Sequence, residues 1–281
     1  MRLATLRTGS GGGRTTAARI EDRQAVILEE FEDVGAILRQ DALEAARTAA
    51  GPTEDLAEAR YAPVVVKPGK IICVGMNYGP HLREMGRAAA SHPTLFCKLK
   101  EALVGACEPI LLPPESNQVD WEGELAVVVG RRLRRADMIE AAAAVGGYTM
   151  MCDTSMRDWQ YRTSQWFQGK TWEKSTPLGP HLATPDELPP EAQIRTRLNS
   201  VEVQRGRIED LMVSPVMLLS YVSTFVSLEP GDVVATGTPA GVGHAMTPPT
   251  YLRPGDQLEI EVDGVGILQS WVEKEAISRH D

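Results

Sequence analysis

The segment Val119-Asp120-Trp121-Glu122-Gly123-Glu124-Leu125-Ala126 sets two glutamates two positions apart at the head of an apolar run ending at Val129. In an extended strand, residues two apart share a face, so Glu122 and Glu124 would point the same way. Carboxylates buried side by side repel and lose hydration; they are tolerated when they share a proton, pair with bases or grip a cation. On this motif alone, a solvated strand end that holds nothing fits equally well. Asp153 closes a second apolar run, from Gly147 to Cys152, and is followed by Arg157, Asp158 and Gln160. It reads either as a helix N-cap or as a third oxygen donor. Three carboxylates suit an octahedral Mg²⁺ or Mn²⁺ completed by water or substrate. Zinc is disfavoured, because no His or Cys spacing supports it.

His81 and Glu84 follow Pro80 at a spacing of three, which on a short helix gives a shared face and a carboxylate–imidazole pair able to activate water. The flanking Gly79 and Gly86 fit a mobile lid. Taken alone, a packing or capping role for His81 outweighs the catalytic one, and His181 and His244 lack even a nearby acid in sequence. Lys98 and Lys170 are the cations of interest. Gly169-Lys170-Thr171 is not a phosphate loop, since Ser164 stands where that motif needs a glycine. Thr236 to Gly243, containing Thr238, is a glycine-rich turn after a strand. It is either a tight loop or a set of backbone N–H groups offered to a carboxylate or oxyanion.

The elements that must position these residues read as follows. Arg2–Thr8 and Thr15–Glu21 look like strands joined by the Gly9-Ser10-Gly11-Gly12-Gly13 turn, with a third apolar run at Ala25–Glu29. Val34, Ile37, Leu38 and, after a slip in period, Leu43 suggest one helix stopping at Gly51-Pro52. Residues 51–63 read as a polar, proline-bounded linker. Beyond it, short apolar runs (Ile71–Val74, Leu125–Val129, Val233–Ala235, Leu258–Val262) outnumber helical patterns, of which Asp137–Val145 and Ser214–Val226 are the clearest. The expectation is a β-rich α+β fold: a small N-terminal domain with linker over 1–63 and a catalytic domain over 64–281.

Composition agrees. The 281 residues carry 29 Lys+Arg against 38 Asp+Glu, a formal charge of −9 that argues against a nucleic-acid or anionic-membrane partner. The basic cluster Arg131, Arg132, Arg134 and Arg135 reads as a solvated turn. Four cysteines with no C-x-x-C pair are expected to be reduced thiols. Neither a signal peptide nor a span of about 20 apolar residues is present, so a cytoplasmic protein is expected.

Taken in order, these motifs resemble the fumarylacetoacetate hydrolase family from about Lys70 to Val272. They are Gly75-Met76-Asn77-Tyr78 with His81 and Glu84, the Val119–Ala126 stretch, Asp153–Gln160, Gly169-Lys170 with Pro177-Leu178-Gly179-Pro180, Asn199–Gln204, and Glu229-Pro230-Gly231-Asp232 leading to Thr236–Gly243. The resemblance implies a mixed β-roll with a small N-terminal α/β domain, in a homodimer. It implies Glu122, Glu124 and Asp153 as Mg²⁺ or Mn²⁺ ligands, Lys170 facing the substrate's developing negative charge, and His81 with Glu84 activating water. Arg157 and Gln160 match positions near the substrate, and Lys98 and Thr238 join them as candidate substrate contacts. Two positions depart from the pattern: Trp121 where Tyr or Phe is usual, and Ser200 where Gly is common.

The implied activity is metal-dependent hydrolysis of a C–C bond in an acylpyruvate or β-diketo acid such as fumarylpyruvate, in aromatic catabolism. The alternative is an oxaloacetate decarboxylase or an isomerase/hydratase of unsaturated 2-oxo diacids.

Overall fold

Residues 123–129 are apolar at nearly every position because both faces of their strand are covered. Gly123–Val129 is buried throughout, with Ala126 and Val128 on one core and Val127 and Val129 on another. A strand buried on both sides loses the apolar–polar alternation of a half-exposed one. In the computed structural model, which describes residues 1–9, 13–88 and 90–276, this strand lies inside a large mixed sheet. Its order is Thr53–Asp55, Gln24–Leu28, Arg14–Glu21, Arg2–Thr8, Thr176–Ala183, Val145–Cys152, Gly123–Val129, Val233–Ala235, Ile71–Gly75 and Thr94–Lys98. Most neighbours are antiparallel; Val233–Ala235 runs parallel to Ile71–Gly75.

A second sheet, Val201–Arg207, Gln193–Leu198, Gln257–Val262, Gly266–Lys274 and Ile110–Leu112, packs on the first. Leu125, Met150 and Cys152 meet Ile194, Ile260 and Leu268 in the core between them. On the opposite side, Leu218, Leu219 and Val222 of the helix Pro215–Ser223 cover Val127 and Val234. The β-rich α+β architecture read from the sequence is what the chain adopts.

Local expectations hold where local chemistry decides. Asp137 accepts hydrogen bonds from Ile139 and Glu140 N–H while Glu140 caps back, opening the helix Met138–Ala143. Ser214 caps Pro215–Ser223 through Met217 N–H. The arginine cluster forms an exposed turn, with Arg132 paired to Glu229. All four cysteines are free, Cys73 and Cys152 buried, Cys97 and Cys107 exposed.

Other expectations need correcting. The single helix expected from Val34 is two, Val34–Arg39 and Leu43–Thr48, broken where Asp41 takes a positive φ of 52°; the slip in apolar period marks that break. The stretch read as a linker is structured. Thr53–Asp55 pairs with Gln24–Leu28, and Ala62 N–H bonds Thr5 O at 2.9 Å. The N-terminal strands also continue into the same sheet, Arg2–Thr8 pairing with Thr176–Ala183, and Leu3, Ala17 and Leu28 share a core with Val128 and Met151, while Ala4, Leu6, Ala18, Ala25 and Ile27 form a cluster of their own. The middle of the glycine turn expected between the first two strands, residues 10–12, lies outside the described residues.

Two positions yield predictions here. Leu198 pairs with Val201 across a two-residue turn in which Asn199 and Ser200 both have positive φ, 52° and 69°. Such a turn suits Asn followed by Gly, and serine has a Cβ that strains there. Ser200→Gly is therefore expected to stabilise the fold by about 1 kcal/mol, read as a higher urea midpoint at unchanged slope.

His181 sits in the strand beside Ala4, its ring edge-on to Tyr61 at 5.9 Å. Burial first, and the charge of Arg2 second, push its imidazole from 6.5 down to about 4. The unfolded chain thus binds this proton more readily between pH 6.5 and 4, so stability falls as pH drops through that window, by about 3 kcal/mol for this group. Urea titrations at pH 7 and pH 4 should show a smaller acid loss in His181→Gln than in the parent.

Candidate metal centre and active site

Strand pairing brings the three acids together. Gly123 pairs with Cys152 and Glu124 with Met151, so Asp153, one residue beyond the register, lands beside Glu122 and donates its N–H to Glu122 O at 2.8 Å. One carboxylate oxygen from each of Glu122, Glu124 and Asp153 lies within 4.8 Å of the others, and all three residues are buried. The helix N-cap reading of Asp153 fails. The next helix, Arg157–Gln160, begins after Met156, and no side chain caps it.

Three buried cations surround the acids. Lys170 Nζ bridges Glu122 Oε2 and Asp153 Oδ2, both at 2.7 Å. Lys98 Nζ holds Asp153 Oδ1 at 2.8 Å and Thr154 O at 3.2 Å. Arg157 reaches Glu122 Oε1 at 2.7 Å, Asp120 Oδ2 at 2.8 Å and Gln160 Oε1 at 2.9 Å. Asp120, Glu122, Glu124 and Asp153 against Lys98, Arg157 and Lys170 leave one net negative charge, with every member at most 6% exposed.

The distribution is uneven, and this tests the fit of a metal. Burial opposes ionisation of Glu122, but Lys170 and Arg157 overcome it and hold the carboxyl far below its ordinary range. Burial likewise opposes the charge on Lys170, and Asp153 and Glu122 more than restore it, keeping the ammonium protonated. Glu124 has no ion pair among the described residues; it accepts one hydrogen bond, from Gly237 N–H at 2.8 Å. Burial, then Asp153 and Glu122, push its carboxyl well above the ordinary range. A buried carboxylate aimed at two others, with no cation of its own, suits a hard dication held through oxygen. These residues fit a divalent cation.

His81 and Glu84 are placed by the short helix Gly79–Glu84. His81 Nδ1 lies 3.0 Å from Glu84 Oε2, and the ring lines the same cleft as Glu122, Glu124, Lys170 and Thr238. Phe96 closes the far side, its ring 5.0 Å from Lys170 Nζ. Larger hollows lie elsewhere, by Trp271 and beside Pro113, and no buried carboxylate lines them.

The glycine-rich loop offers its N–H groups to carboxylates, and they are the protein's own. Gly237 N–H goes to Glu124, Gly241 N–H to Glu84 at 2.8 Å, and Gly243 and His244 N–H to Asp120 at 2.8 and 3.0 Å. Thr238 donates to Gly123 O at 2.9 Å and accepts from Gln204 Nε2 at 2.8 Å. Arg157, Gln160, Lys98 and Thr238 thus border the acids while bonded to protein groups. Lys170 depends on Gly169, where a Cβ would lie 2.5 Å from Gln160 Cα.

Sequence reasoning passed over three supporting residues. Asp120 anchors both Arg157 and the loop; its spacing of two from Glu122 was the available signal. Asn77 ties Val213 to Thr236 through Nδ2 bonds of 2.8 Å to both carbonyls, and Gln204 accepts from Gly123 N–H at 3.0 Å. Both stand inside stretches that carry the family resemblance, but only the folded neighbourhood shows what they hold. The imidazole rings of His181 and His244 take no part in the acidic cluster; His244 Nδ1 contacts Tyr251 OH at 2.9 Å.

Comparison with known proteins agrees with this geometry. The family model described as fumarylacetoacetate (FAA) hydrolase C-terminal matches residues 70–273. A human protein named oxaloacetate tautomerase FAHD2A, mitochondrial, is 36% identical over 270 residues, covering 94% of this chain and 85% of its own. The structure of a fumarylacetoacetate hydrolase from Exiguobacterium antarcticum superposes with a TM-score of 0.88 at 32% identity, over 98% of this chain and all of that one. A 5-carboxymethyl-2-hydroxymuconate delta-isomerase from Mycobacterium smegmatis gives 0.79 at 32% identity, over 99% of this chain and all of its own. No helix among the described residues is long and apolar enough to cross a membrane.

Proposed function

This chain belongs to the fumarylacetoacetate hydrolase family, and from that premise we propose that it is a divalent-metal-dependent enzyme that enolises a 2-oxo dicarboxylate, interconverting the keto and enol forms of an oxaloacetate-class substrate. The observation that carries the reading is His81, held by Glu84 from behind, lining one cleft with Glu122, Glu124 and Lys170. Its support outside the site is the similarity, over 94% of the chain, to a protein named oxaloacetate tautomerase.

Glu122, Glu124 and Asp153 would hold the Mg²⁺ or Mn²⁺, which when bound supplies Lewis acidity to the enolate oxygen. With Nδ1–H directed to Glu84, His81 keeps Nε2 as the basic nitrogen, able to take a proton from the carbon next to the 2-oxo group. Glu84 stabilises the imidazolium so formed. Lys170 sets a fixed positive charge beside the developing oxyanion, in a site too dry to screen it. Return of the proton to oxygen rather than carbon completes the tautomerisation, with no net gain or loss of protons.

A second reading, C–C hydrolysis of an acylpyruvate, draws on the same pair, because a carboxylate-backed imidazole also deprotonates water. Decay of the enol absorbance of oxaloacetate, followed with Mg²⁺ or Mn²⁺ and with chelator, separates the two. The tautomerase reading requires a rate well above that of metal alone, abolished by chelator and by Lys170→Met. A rate equal to metal alone, together with pyruvate release from acylpyruvates, would replace it with the hydrolase.

A further inference from the structure

The aromatic residue between Asp120 and Glu122 is fully buried, and its indole has one polar bond: Trp121 Nε1 donates to Gly241 O at 3.1 Å. Gly241 uses its other backbone group toward the base, its N–H donating to Glu84 Oε1 at 2.8 Å, while Glu84 Oε2 meets His81 Nδ1 at 3.0 Å. An unbroken path therefore runs from the indole through a single glycine and one carboxylate to the catalytic imidazole. Gly241 has little room to drift. Its φ is +105°, and a Cβ there would lie 1.9 Å from Val203 O. The Trp121 ring also packs beside Gly243, whose Cβ would come within 2.8 Å of it.

We propose that Trp121 is a positioning residue for the His81–Glu84 pair: its indole N–H fixes the Gly241 peptides, and Gly241 in turn fixes the carboxylate that sets the histidine's tautomer and orientation. The proposal rests on the reading of His81 as the base. Phenylalanine fills nearly the same space but has no N–H, so it leaves Gly241 O without its donor. The two groups of Gly241 belong to successive peptides joined at its Cα, so the lost bond acts by freeing the orientation of the glycine, and small displacements of a base are costly in rate.

The test is Trp121→Phe, a substitution that keeps an aromatic ring in the same buried pocket. The expected result is a fall in kcat of roughly 10- to 100-fold, with KM and bound Mn²⁺ unchanged. Nitrogen-15 histidine spectra should show His81 moving from one Nδ1–H tautomer to a mixture. In the double variant with Glu84→Gln, the losses should be less than additive, because both act through one carboxylate. An unchanged His81 tautomer, or fully additive losses, overturns the proposal. The spectra need no turnover: a tautomer shift in a protein inactive on oxaloacetate would uphold the positioning role and sink only the substrate assignment.

Discussion

Glu124→Ala should leave the protein folded and unable to retain stoichiometric Mn²⁺, with kcat/KM down by about a thousandfold or more, the several kcal/mol a Lewis acid contributes to a developing enolate. On the proposed reading Glu124 would be the decisive ligand, because its two companions already have counter-charges. Lys170 and Arg157 neutralise Glu122, and Lys170 and Lys98 neutralise Asp153, whereas Glu124 has only the Gly237 N–H. Removing it therefore deletes the charge that a dication would answer.

The fold should not suffer. In the metal-free protein, burial and the two neighbouring acids raise this carboxyl's pKa. A raised pKa gives stability that is complete below the unfolded value and lost as pH climbs through the folded one. At neutral pH the metal-free parent thus carries an uncompensated strain that alanine removes, and the variant's unfolding temperature should equal or exceed the parent's. Adding Mn²⁺ should raise the parent's unfolding temperature and leave the variant's unmoved. Retention of one Mn²⁺ per chain after desalting, measured by metal analysis, would refute the ligand set.

His81→Ala separates base from metal. The ring is outside the carboxylate cluster, so Mn²⁺ stoichiometry and the metal-induced gain in unfolding temperature should persist. Turnover should fall by about 10² to 10⁴, the usual worth of a positioned general base. Glu84→Gln should cost less, since the imidazole remains while its orienting carboxylate becomes an amide. If His81→Ala turns over oxaloacetate at the parental rate, the base lies elsewhere, whichever reaction the enzyme performs.

The two glutamates could be paired on paper because a strand's side chains repeat every second residue; that rule needs no knowledge of the rest of the chain. Their burial could not be read the same way. A solvated strand end and a metal grip were equally good readings of Glu122 and Glu124, and the choice came from what covers them. The same holds for Asp153, whose position after an apolar run and before a short helix fits an N-cap. The spacing of His81 and Glu84 allowed a pair, although on sequence alone a packing or capping role outweighed it; the bond from Glu84 to Gly241, 157 residues away, was not legible at all.

What the amino-acid order determined by itself is the set of short-range facts: several of the strands, the helical stretches after Asp137 and Ser214, the acids, the lysines and the glycine loop, because each depends on neighbours within a few residues. The tertiary structure alone decided that Asp153 lies level with Glu122, that Lys98 and Lys170 converge on Asp153, that Thr53–Asp55 joins the sheet, and that the loop's N–H groups are spent on the protein's own acids. Local patterning says which face of an element is apolar. Which element it meets is chosen by the packing of the whole chain and by the need of every buried charge for a partner.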